Sequence, residues 1–477
     1  MTRPGQKLGS AAWILPLVLI NLVVLSNAVR HDPRVGYDAE DHLKYIEVLS
    51  TFRLPVRAET AEFFSPPLPY LLPAMARSTG FVTLWGAAKT AQLLNVLYSI
   101  GLTLCLVSLC ERVRPGDPWL KSVSLLCLGM LPVYYRTFAF VRGEPLLAFL
   151  GVFFVERSLA FLLDRRWSTM RGVALGAALS LVLLSRQWGF FLLPAVALFA
   201  GILAVLGRRS WVHMTGGVAL VFLVGGLSSA WFYLHLRQNV GSARAFNRAP
   251  VPGFSFANRP AEFYFGTGGR PLFSEPIRPL LGNQLLPILH SEMWGDYWSA
   301  FVVNGKDTRD GSYLYGGALH LALSAEPRPA WLSTNRYEIG PYLGRANLVA
   351  LVPGALLLAG LIFGVRSAWG YTASAYLRPA HGPPADDDAT AVLTMLTLVV
   401  ACTLAGYGWF LLKYPGADTI KATYLLQIFP SLSLLTAEML RRVRRRTPIL
   451  WKALALCCVL AALHNLPLLF THYPLAW

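Results

Sequence analysis

Long apolar stretches alternate with short polar joints along most of this chain. A helix needs about 20 apolar residues to cross the hydrocarbon core of a bilayer. About eleven stretches qualify, at residues 11–29, 87–110, 119–138, 144–163, 171–185, 190–206, 214–236, 346–365, 391–412, 422–440 and 453–470. The pattern predicts an all-α polytopic membrane protein with about eleven transmembrane helices.

Basic residues are distributed unevenly among the joints. The richer set of joints carries Arg112 and Arg114, Arg165 and Arg166, Arg208 and Arg209, Arg366 and Arg378, and Arg441 to Arg446, on the same side as Arg3 and Lys7. The alternate joints carry only Arg142, Arg186, Lys413 and Lys421. Because cytoplasmic loops are enriched in Lys and Arg, we expect the N-terminus in the cytoplasm and the C-terminus outside.

The same alternation predicts two long extracytoplasmic segments, at residues 30–86 and 237–345, the second rich in Pro, Gly and aromatic residues. We therefore expect an N-terminal membrane module at 1–236, which includes the first of these segments. A large extracytoplasmic region follows at 237–345, and C-terminal membrane helices occupy 346–477.

Composition favours lipid over nucleic acid as the surroundings of the chain. Hydrophobic residues make up 55% and charged residues 14%, against about 25% charged residues in soluble proteins. The formal net charge of +17 comes from clusters between apolar stretches, so membrane lipids and no nucleic acid are expected as partners. The six cysteines fall within or at the ends of apolar stretches and indicate small core residues. The first stretch lacks a convincing cleavage site, which predicts an uncleaved span.

The densest polar cluster follows the first predicted span directly. It contains Asp38, Glu40, Asp41 and His42. Carboxylates at a membrane edge are costly to desolvate unless they are paired or used, so the cluster is a candidate site. The alternative is a solvated loop in which Asp38 only caps the next helix.

Two further acidic elements are predicted on the same side of the membrane. Glu62 precedes the run from Ser65 to Tyr70, SPPLPY, and Glu144 follows Arg142 at the start of the fourth predicted span. A Glu at a helix start can be only a favourable partner of the helix dipole. Three acidic elements on one face nevertheless favour a functional site.

In order and sidedness these elements resemble the protein O-mannosyltransferase and lipid A aminoarabinose transferase branch of the GT-C glycosyltransferases. The resemblance implies the GT-C fold and transfer of a sugar from a polyprenyl-phosphate donor to a glycan, lipid or protein acceptor. Aligned on His42, the family's Asp falls on Asp38 and its Glu on Ala39, with Glu40 and Asp41 as alternatives for the second carboxylate.

The family's other acidic position matches Glu144. Weaker similarities lie in the segments 294–298 (WGDYW) and 421–426 (KATYLL).

An inverting transfer needs a carboxylate that accepts the proton of the acceptor. We predict Asp38 as this base, kept ionised by nearby Arg34, with Asp41 and Glu144 as further catalytic residues. The leaving phosphate needs cations. The candidates lie at the outer membrane edge, where such residues also serve as snorkelling anchors; they are Arg142, Arg186, Lys413 and Lys421.

A divalent metal ion is the one cofactor considered. Some members of the family bind such an ion outside the membrane, and Glu62 matches the position of a family ligand. His290 is the available partner in the large extracytoplasmic segment, although a lone loop histidine is more often structural.

Two other classes of function compete with the enzyme. A lipid or glycolipid transporter would place ionisable residues near mid-span, whereas the acids here gather at one edge. A non-catalytic scaffold is the third hypothesis, because Ala39 departs from the family motif. The Ala-, Arg- and Leu-rich composition favours a bacterial plasma membrane, with the active site on the extracytoplasmic side.

Overall fold

The structure is a computed structural model of the chain, and it describes residues 11–164, 168–208, 210–253, 256–278, 280–302, 339–377 and 388–471. The described residues form helices and turns, and no strand occurs among them. The helices are α1 (Ile14–Arg30), α2 (Ala39–Leu49), α3 (Leu68–Ser78), α4 (Leu84–Val113), α5 (Pro118–Gly129), α6 (Pro132–Ala139), α7 (Glu144–Leu163), α8 (Thr169–Ser185), α9 (Leu192–Val205), α10 (Trp211–Val240), α11 (Ala261–Phe265), α12 (Pro271–Ser274), α13 (Leu285–Trp294), α14 (Ile339–Val349), α15 (Leu351–Leu377), α16 (Asp388–Lys413), α17 (Phe429–Arg446) and α18 (Pro448–Asn465).

Within these ranges, seven helical segments are long and apolar enough to cross a membrane. They are Leu84–Val113, Glu144–Leu163, Gln187–Val205, Trp211–Val240, Gly340–Ala373, Asp388–Lys413 and Pro448–Leu469. The shorter apolar helices Ile14–Arg30 and Thr169–Ser185 correspond to two further predicted spans. The prediction of an all-α integral membrane protein is therefore confirmed.

The stretches at 119–138 and 422–440 differ from the prediction because each is broken. Leu131 is extended with ψ 107°, and α6 restarts at Pro132, since the residue before a proline is pushed out of the helical region. In the other stretch, residues 422–428 form a 3-10 segment before α17 begins. Both breaks lie where polar side chains enter the site described below.

The two ends of the helical assembly differ in charge. One end carries the acidic cluster. Helix α7 begins at this end with Glu144, and α17 begins there after the 3-10 segment at 422–428. The arginine run closes α17 at Arg446, at the far end of this 18-residue helix, which is about 27 Å long at 1.5 Å per residue. Arg165, Arg166, Arg209 and Arg378 lie outside the described residues.

The two predicted extracytoplasmic segments contain short helices. Helices α2 and α3 of the first pack against each other and against α4. The second contributes α11, α12 and α13, and its residues 303–338 lie outside the described ranges. One continuous apolar core contains residues from Ile20 to Leu468, while the division into three regions remains a prediction.

Candidate active site

Asp38 is held in place by Lys421 and not by a helix cap. The residue stands at the N-cap position of α2 with φ 53° and ψ 31°, and its side chain accepts no hydrogen bond from that helix. Lys421 Nζ donates to Asp38 Oδ2 at 2.9 Å instead. The capping alternative is therefore wrong. A left-handed backbone costs about 1–2 kcal/mol in a residue with a Cβ, and here it turns the carboxylate away from its own helix.

The ion pair sets the protonation of both groups. Burial alone raises the pKa of the Asp38 carboxyl, but the charge and hydrogen bond of Lys421 outweigh it and lower the pKa to about 2. Burial lowers the pKa of Lys421, and the charge of Asp38 reverses this and raises it. The predicted partner of Asp38 was wrong, because the Arg34 guanidinium donates to Asp32 at 2.9 Å.

Asp38 and Lys421 face a polar cavity of about 420 Å³. The Asp38 side chain is 32% exposed and that of Lys421 is 8% exposed. Polar, charged and aromatic side chains line the rest of the cavity. They include Asp41, Glu62, Asn247, Arg248, Arg278, Asn283, Asp418, Tyr37, Trp298 and Tyr424.

Aromatic rings surround the Lys421 ammonium. Its nitrogen lies 5.0 Å from the ring centre of Tyr37, 5.8 Å from that of Trp298 and 6.0 Å from that of Tyr424. Ring faces attract cations at such distances. The ammonium is thus fixed at the floor of the cavity by three rings and one carboxylate.

Asp41 lines the cavity as well, but part of its carboxylate is already engaged. Its Oδ1 accepts from the Thr60 hydroxyl at 3.0 Å and from the Ala61 amide at 2.6 Å. These bonds join α2 to the following loop. Glu40 is exposed and is not part of the lining, so of the two alternatives for a second carboxylate only Asp41 lies in the cavity.

Glu144, Arg142 and Arg186 form a buried charge network behind the cavity, and the network reaches the cavity lining at Glu62. Arg142 Nε donates to Glu144 Oε2 at 2.7 Å, and Arg186 Nε donates to Glu144 Oε1 at 2.9 Å. Arg186 Nη1 also donates to Glu62 at 2.8 Å. The side chains of Glu144 and Arg142 are each 1% exposed.

The network depends on a close approach of two chain segments. A Cβ at Gly143 would lie 2.8 Å from the Ser185 carbonyl oxygen, a distance that real Cβ atoms do not reach, so glycine lets the turn before α7 touch the end of α8. Glu144, Arg142 and Arg186 do not line the cavity. Among the described residues, Arg142 Nη1 has no hydrogen-bond partner, and the guanidinium carbon lies 5.3 Å from the ring centre of Tyr37.

Lys413 lies apart from the other three predicted phosphate ligands. Its ammonium donates a hydrogen bond to the Gly253 carbonyl at 2.6 Å. Lys413 and Arg244 line a second, mainly apolar groove of about 820 Å³. Phe246 lines both this groove and the polar cavity. The structure therefore places the four predicted cations in three settings: Lys421 in the cavity, Arg142 and Arg186 behind it, and Lys413 beside it.

Glu62 and His290 do not form a metal site. Glu62 is engaged by Arg186 and by the Ser65 hydroxyl, whereas His290 Nε2 contacts the Asn347 carbonyl oxygen at 3.0 Å. Over the described ranges no group of three His, Cys, Asp or Glu residues could hold a metal ion. The described residues therefore offer no site for a divalent ion.

Sequence reasoning missed the residues that support Tyr37. The Tyr37 hydroxyl donates to Glu292 Oε2 at 2.8 Å, and Arg136 Nη2 lies 3.2 Å from the same oxygen. Burial raises the pKa of Glu292 to about 7, against the opposing charge of Arg136. The signal was Arg136 itself, a charged residue inside an apolar stretch, which is rare unless it is paired or functional.

No family model matches the sequence, and no curated protein matches it. Solved structures do. The oligosaccharyltransferase AglB of Archaeoglobus fulgidus, in complex with an inhibitory peptide and a dolichol-phosphate, is similar over 97% of this chain at 14% identity and a TM-score of 0.51. The oligosaccharyltransferase of the same organism tethered with an acceptor peptide is similar over 98% of this chain at 13% identity and a TM-score of 0.50.

This chain covers 56% of each of those two chains, so it spans little more than half their length. ArnT of Cupriavidus metallidurans bound to undecaprenyl phosphate is similar at 16% identity over 92% of this chain and 80% of that chain, with a TM-score of 0.34. At such identities the likeness to AglB concerns the fold alone. The chain has the GT-C fold, as the sequence motifs predict.

Proposed function

We propose that the protein is an inverting glycosyltransferase that moves a sugar from a polyprenyl-phosphate donor to an acceptor on the extracytoplasmic side of a bacterial plasma membrane. One observation carries the proposal: a carboxylate and an ammonium meet on the floor of a polar cavity that adjoins an apolar groove. The transfer needs a base for the acceptor and a cation for the leaving phosphate.

In the proposed reaction, Asp38 accepts the proton of the acceptor hydroxyl as the acceptor oxygen attacks the anomeric carbon. The bond between that carbon and the phosphate oxygen breaks on the opposite face, so the anomeric configuration inverts. The leaving lipid phosphate keeps the bonding electron pair, and Lys421 stabilises the charge. No general acid is required, because a phosphate is a stable leaving group.

The ion pair makes these two roles interdependent. A carboxyl with a pKa of about 2 is a weak base, since general bases work best with pKa values near the working pH. When the donor phosphate takes the Lys421 ammonium, Asp38 loses its counter-charge, and burial then raises its pKa. The donor therefore strengthens the base that the acceptor needs, and donor should bind before acceptor.

The adjoining groove suits the lipid part of the donor. It is mainly apolar, has Lys413 and Arg244 among its lining residues, and meets the polar cavity at Phe246. A polyprenyl chain in the groove would bring its phosphate towards Lys421. The similar AglB structure is in complex with a dolichol-phosphate, which supports a donor of this class.

The buried network fits a positioning role. Glu144 forms ion pairs with both Arg142 and Arg186. Neither guanidinium reaches the cavity surface. Arg142 stacks near Tyr37 and Tyr424, two of the rings around Lys421. We therefore assign Glu144 to the support of the phosphate site rather than to proton transfer.

The test uses the full-length protein in detergent or liposomes with a labelled polyprenyl-phosphate sugar and a mixed acceptor fraction. We expect release of the free lipid phosphate and a labelled acceptor product, with Asp38→Asn as the inactive control. Movement of intact donor across the bilayer without release would favour the transporter. If the protein neither releases lipid phosphate nor moves the donor, the scaffold hypothesis is favoured.

A further inference from the structure

A second cavity lies apart from the polar cavity and the groove described above. It is an apolar cleft of about 430 Å³ between α5, α15, α17 and α18. Helix α18 forms its outer wall and is exposed along most of its length. No residue of this cleft lines the polar cavity or the groove beside it.

The cleft has the depth of one leaflet of a bilayer. On α18 its wall runs from Trp451 through Ala455 and Cys458 to Ala462, a spacing that lies on one helix face. Ala462 lies eleven positions after Trp451, which corresponds to a rise of about 16 Å along the helix, close to half of the roughly 30 Å hydrocarbon core. Small side chains at three of these positions leave the space that the cleft occupies.

The mouth of the cleft is basic and aromatic. Trp119 and Trp451 form it, with ring centres 5.5 Å apart, and the Arg444 guanidinium lies 5.3 Å from the ring centre of Trp119. Tryptophan is the residue that typically marks a membrane–water interface. The mouth is therefore at headgroup height, and the cleft descends from it into the hydrocarbon region.

The cations at this mouth are not neutralised by the protein. Nearby, Glu438 pairs with Arg114, Arg441 and Arg442, and Glu111 pairs with Lys121. In the part of the chain that the structure describes, no ion pair joins a carboxylate to four exposed cations, Arg444, Arg445, Arg446 and Lys452. Uncompensated charge at this height attracts anionic lipid headgroups.

We propose that this cleft is a binding site for an anionic phospholipid, with one acyl chain against α18 and the headgroup at Arg444. The positive-inside rule places the mouth in the cytoplasmic leaflet. An apolar cleft alone would accept any chain, and the charge at its mouth is what selects the anionic class. The bound lipid would fill the gap between α18 and the rest of the helices.

The test compares lipids with identical acyl chains. Purified full-length protein is incubated with vesicles of equal parts dioleoyl phosphatidylglycerol and dioleoyl phosphatidylcholine, and the retained lipid is identified by native mass spectrometry. We expect phosphatidylglycerol to be enriched several-fold. Arg444→Gln should lower that enrichment about fivefold, since one basic residue near the headgroups contributes about 1 kcal/mol. Arg366→Gln, an exposed arginine outside the cleft lining, should leave it unchanged.

Ala455→Phe tests the acyl-chain part, because the ring would fill the cleft. We expect it to abolish retention of phosphatidylglycerol, whereas Leu456→Phe should not, because Leu456 is 60% exposed and lies outside the cleft lining. Equal retention of the two lipids by the parent protein would overturn the proposal. So would retention of phosphatidylglycerol by Ala455→Phe, or displacement of the lipid by polyprenyl phosphate, which would assign the cleft to the donor.

Discussion

The carboxylate of Asp38 and the ammonium of Lys421 lie 2.9 Å apart although 383 residues separate them in the chain. One residue follows the first helix, and the other precedes the 3-10 segment that leads into α17. The pair therefore joins the N-terminal acidic motif to the C-terminal helices, and its two members supply the proposed base and the proposed phosphate ligand.

Removing the cation should damage the chemical step. We expect Lys421→Met to lower kcat about 10²–10³-fold, because one preorganised group that stabilises developing charge contributes this much. Steady-state kinetics with the labelled donor measure it. Lys413→Met is the matched control, since Lys413 lies in the adjoining groove; its effect should fall mainly on the KM for the donor. If the two variants lose kcat to the same extent, the leaving phosphate does not bind at Lys421.

The pH profile should reveal the coupling between the two groups. In the free parent protein the pKa of Asp38 is about 2, so kcat/KM should not fall through protonation of Asp38 above about pH 4. In Lys421→Met burial dominates and raises that pKa. The acid limb of kcat/KM should then move upward into the range of about pH 4–7. An acid limb at the same pH in both proteins would contradict the proposed control of Asp38 by Lys421.

The same pair contributes to stability with a defined sign. The folded pKa of Asp38 lies below its ordinary value of 3.8, so its contribution is present above about pH 4 and is lost as the pH falls towards 2. The side chain is one-third exposed to the cavity, so solvent screening reduces the effect. Glu62 is also shifted downward, because Arg186 outweighs the effect of burial on its pKa, and acid should weaken both pairs.

We expect Arg186 to contribute to the stability of the fold rather than directly to donor binding. Its side chain is 5% exposed and holds two carboxylates, so Arg186→Ala leaves Glu62 and Glu144 buried without this partner. Breaking a buried ion pair costs about 3–5 kcal/mol. We expect a clear fall in Tm for Arg186→Ala and little change for Lys413→Ala, whose ammonium is exposed. Unchanged Tm with weakened donor binding would restore Arg186 as a direct phosphate ligand.

Orientation can be tested independently of activity. Arg445 lies in the last turn of α17 at the basic end, and Arg270 lies in the second predicted extracytoplasmic segment; both are exposed. In a background without the native cysteines, Arg445→Cys should react with an impermeant maleimide only from the cytoplasm, and Arg270→Cys only from outside. The reverse pattern would place the polar cavity on the cytoplasmic side.

Apolar periodicity predicted the helices well because lipid requires every backbone group to be paired within its own segment. The two misjudged stretches each contain a proline close to the break, Pro132 and Pro430. Each brings a buried side chain to the site: Arg136 lies beside Tyr37, and Tyr424 lines the cavity. Hydropathy averages over such breaks. The positions of Asp38, Lys421 and Trp298 within candidate motifs were visible in the sequence, whereas their pairing was not.

Charge roles were harder to predict than charge positions. Arg142, Arg186 and Lys421 share the same predicted membrane edge, and sequence alone cannot tell which carboxylate each of them pairs with. The structure separates them by partner and position: Glu144 holds the first two, while Lys421 pairs with Asp38 and faces the cavity. The Glu292–Tyr37 contact joins residues 255 positions apart, and no local spacing encodes such a pair.

The second carboxylate of the motif gives a graded prediction. Asp41 has one oxygen bound to Thr60 and Ala61, so Asp41→Asn should retain part of the local structure and lose less activity than Asp38→Asn. Glu144→Gln should lower both Tm and kcat, because it frees Arg142 and Arg186. Thermal unfolding and donor turnover measured on the same samples separate the two effects.

The most direct test of the proposed function is donor turnover by Asp38→Asn. The substitution keeps the shape of the side chain and its contact with Lys421 but removes the base. We predict a loss of about 10²–10⁴-fold in the release of lipid phosphate, the usual contribution of a positioned general base, with Tm and donor binding little changed. A fully active Asp38→Asn, beside an inactive Asp41→Asn, would contradict the account and move the base three residues along the chain.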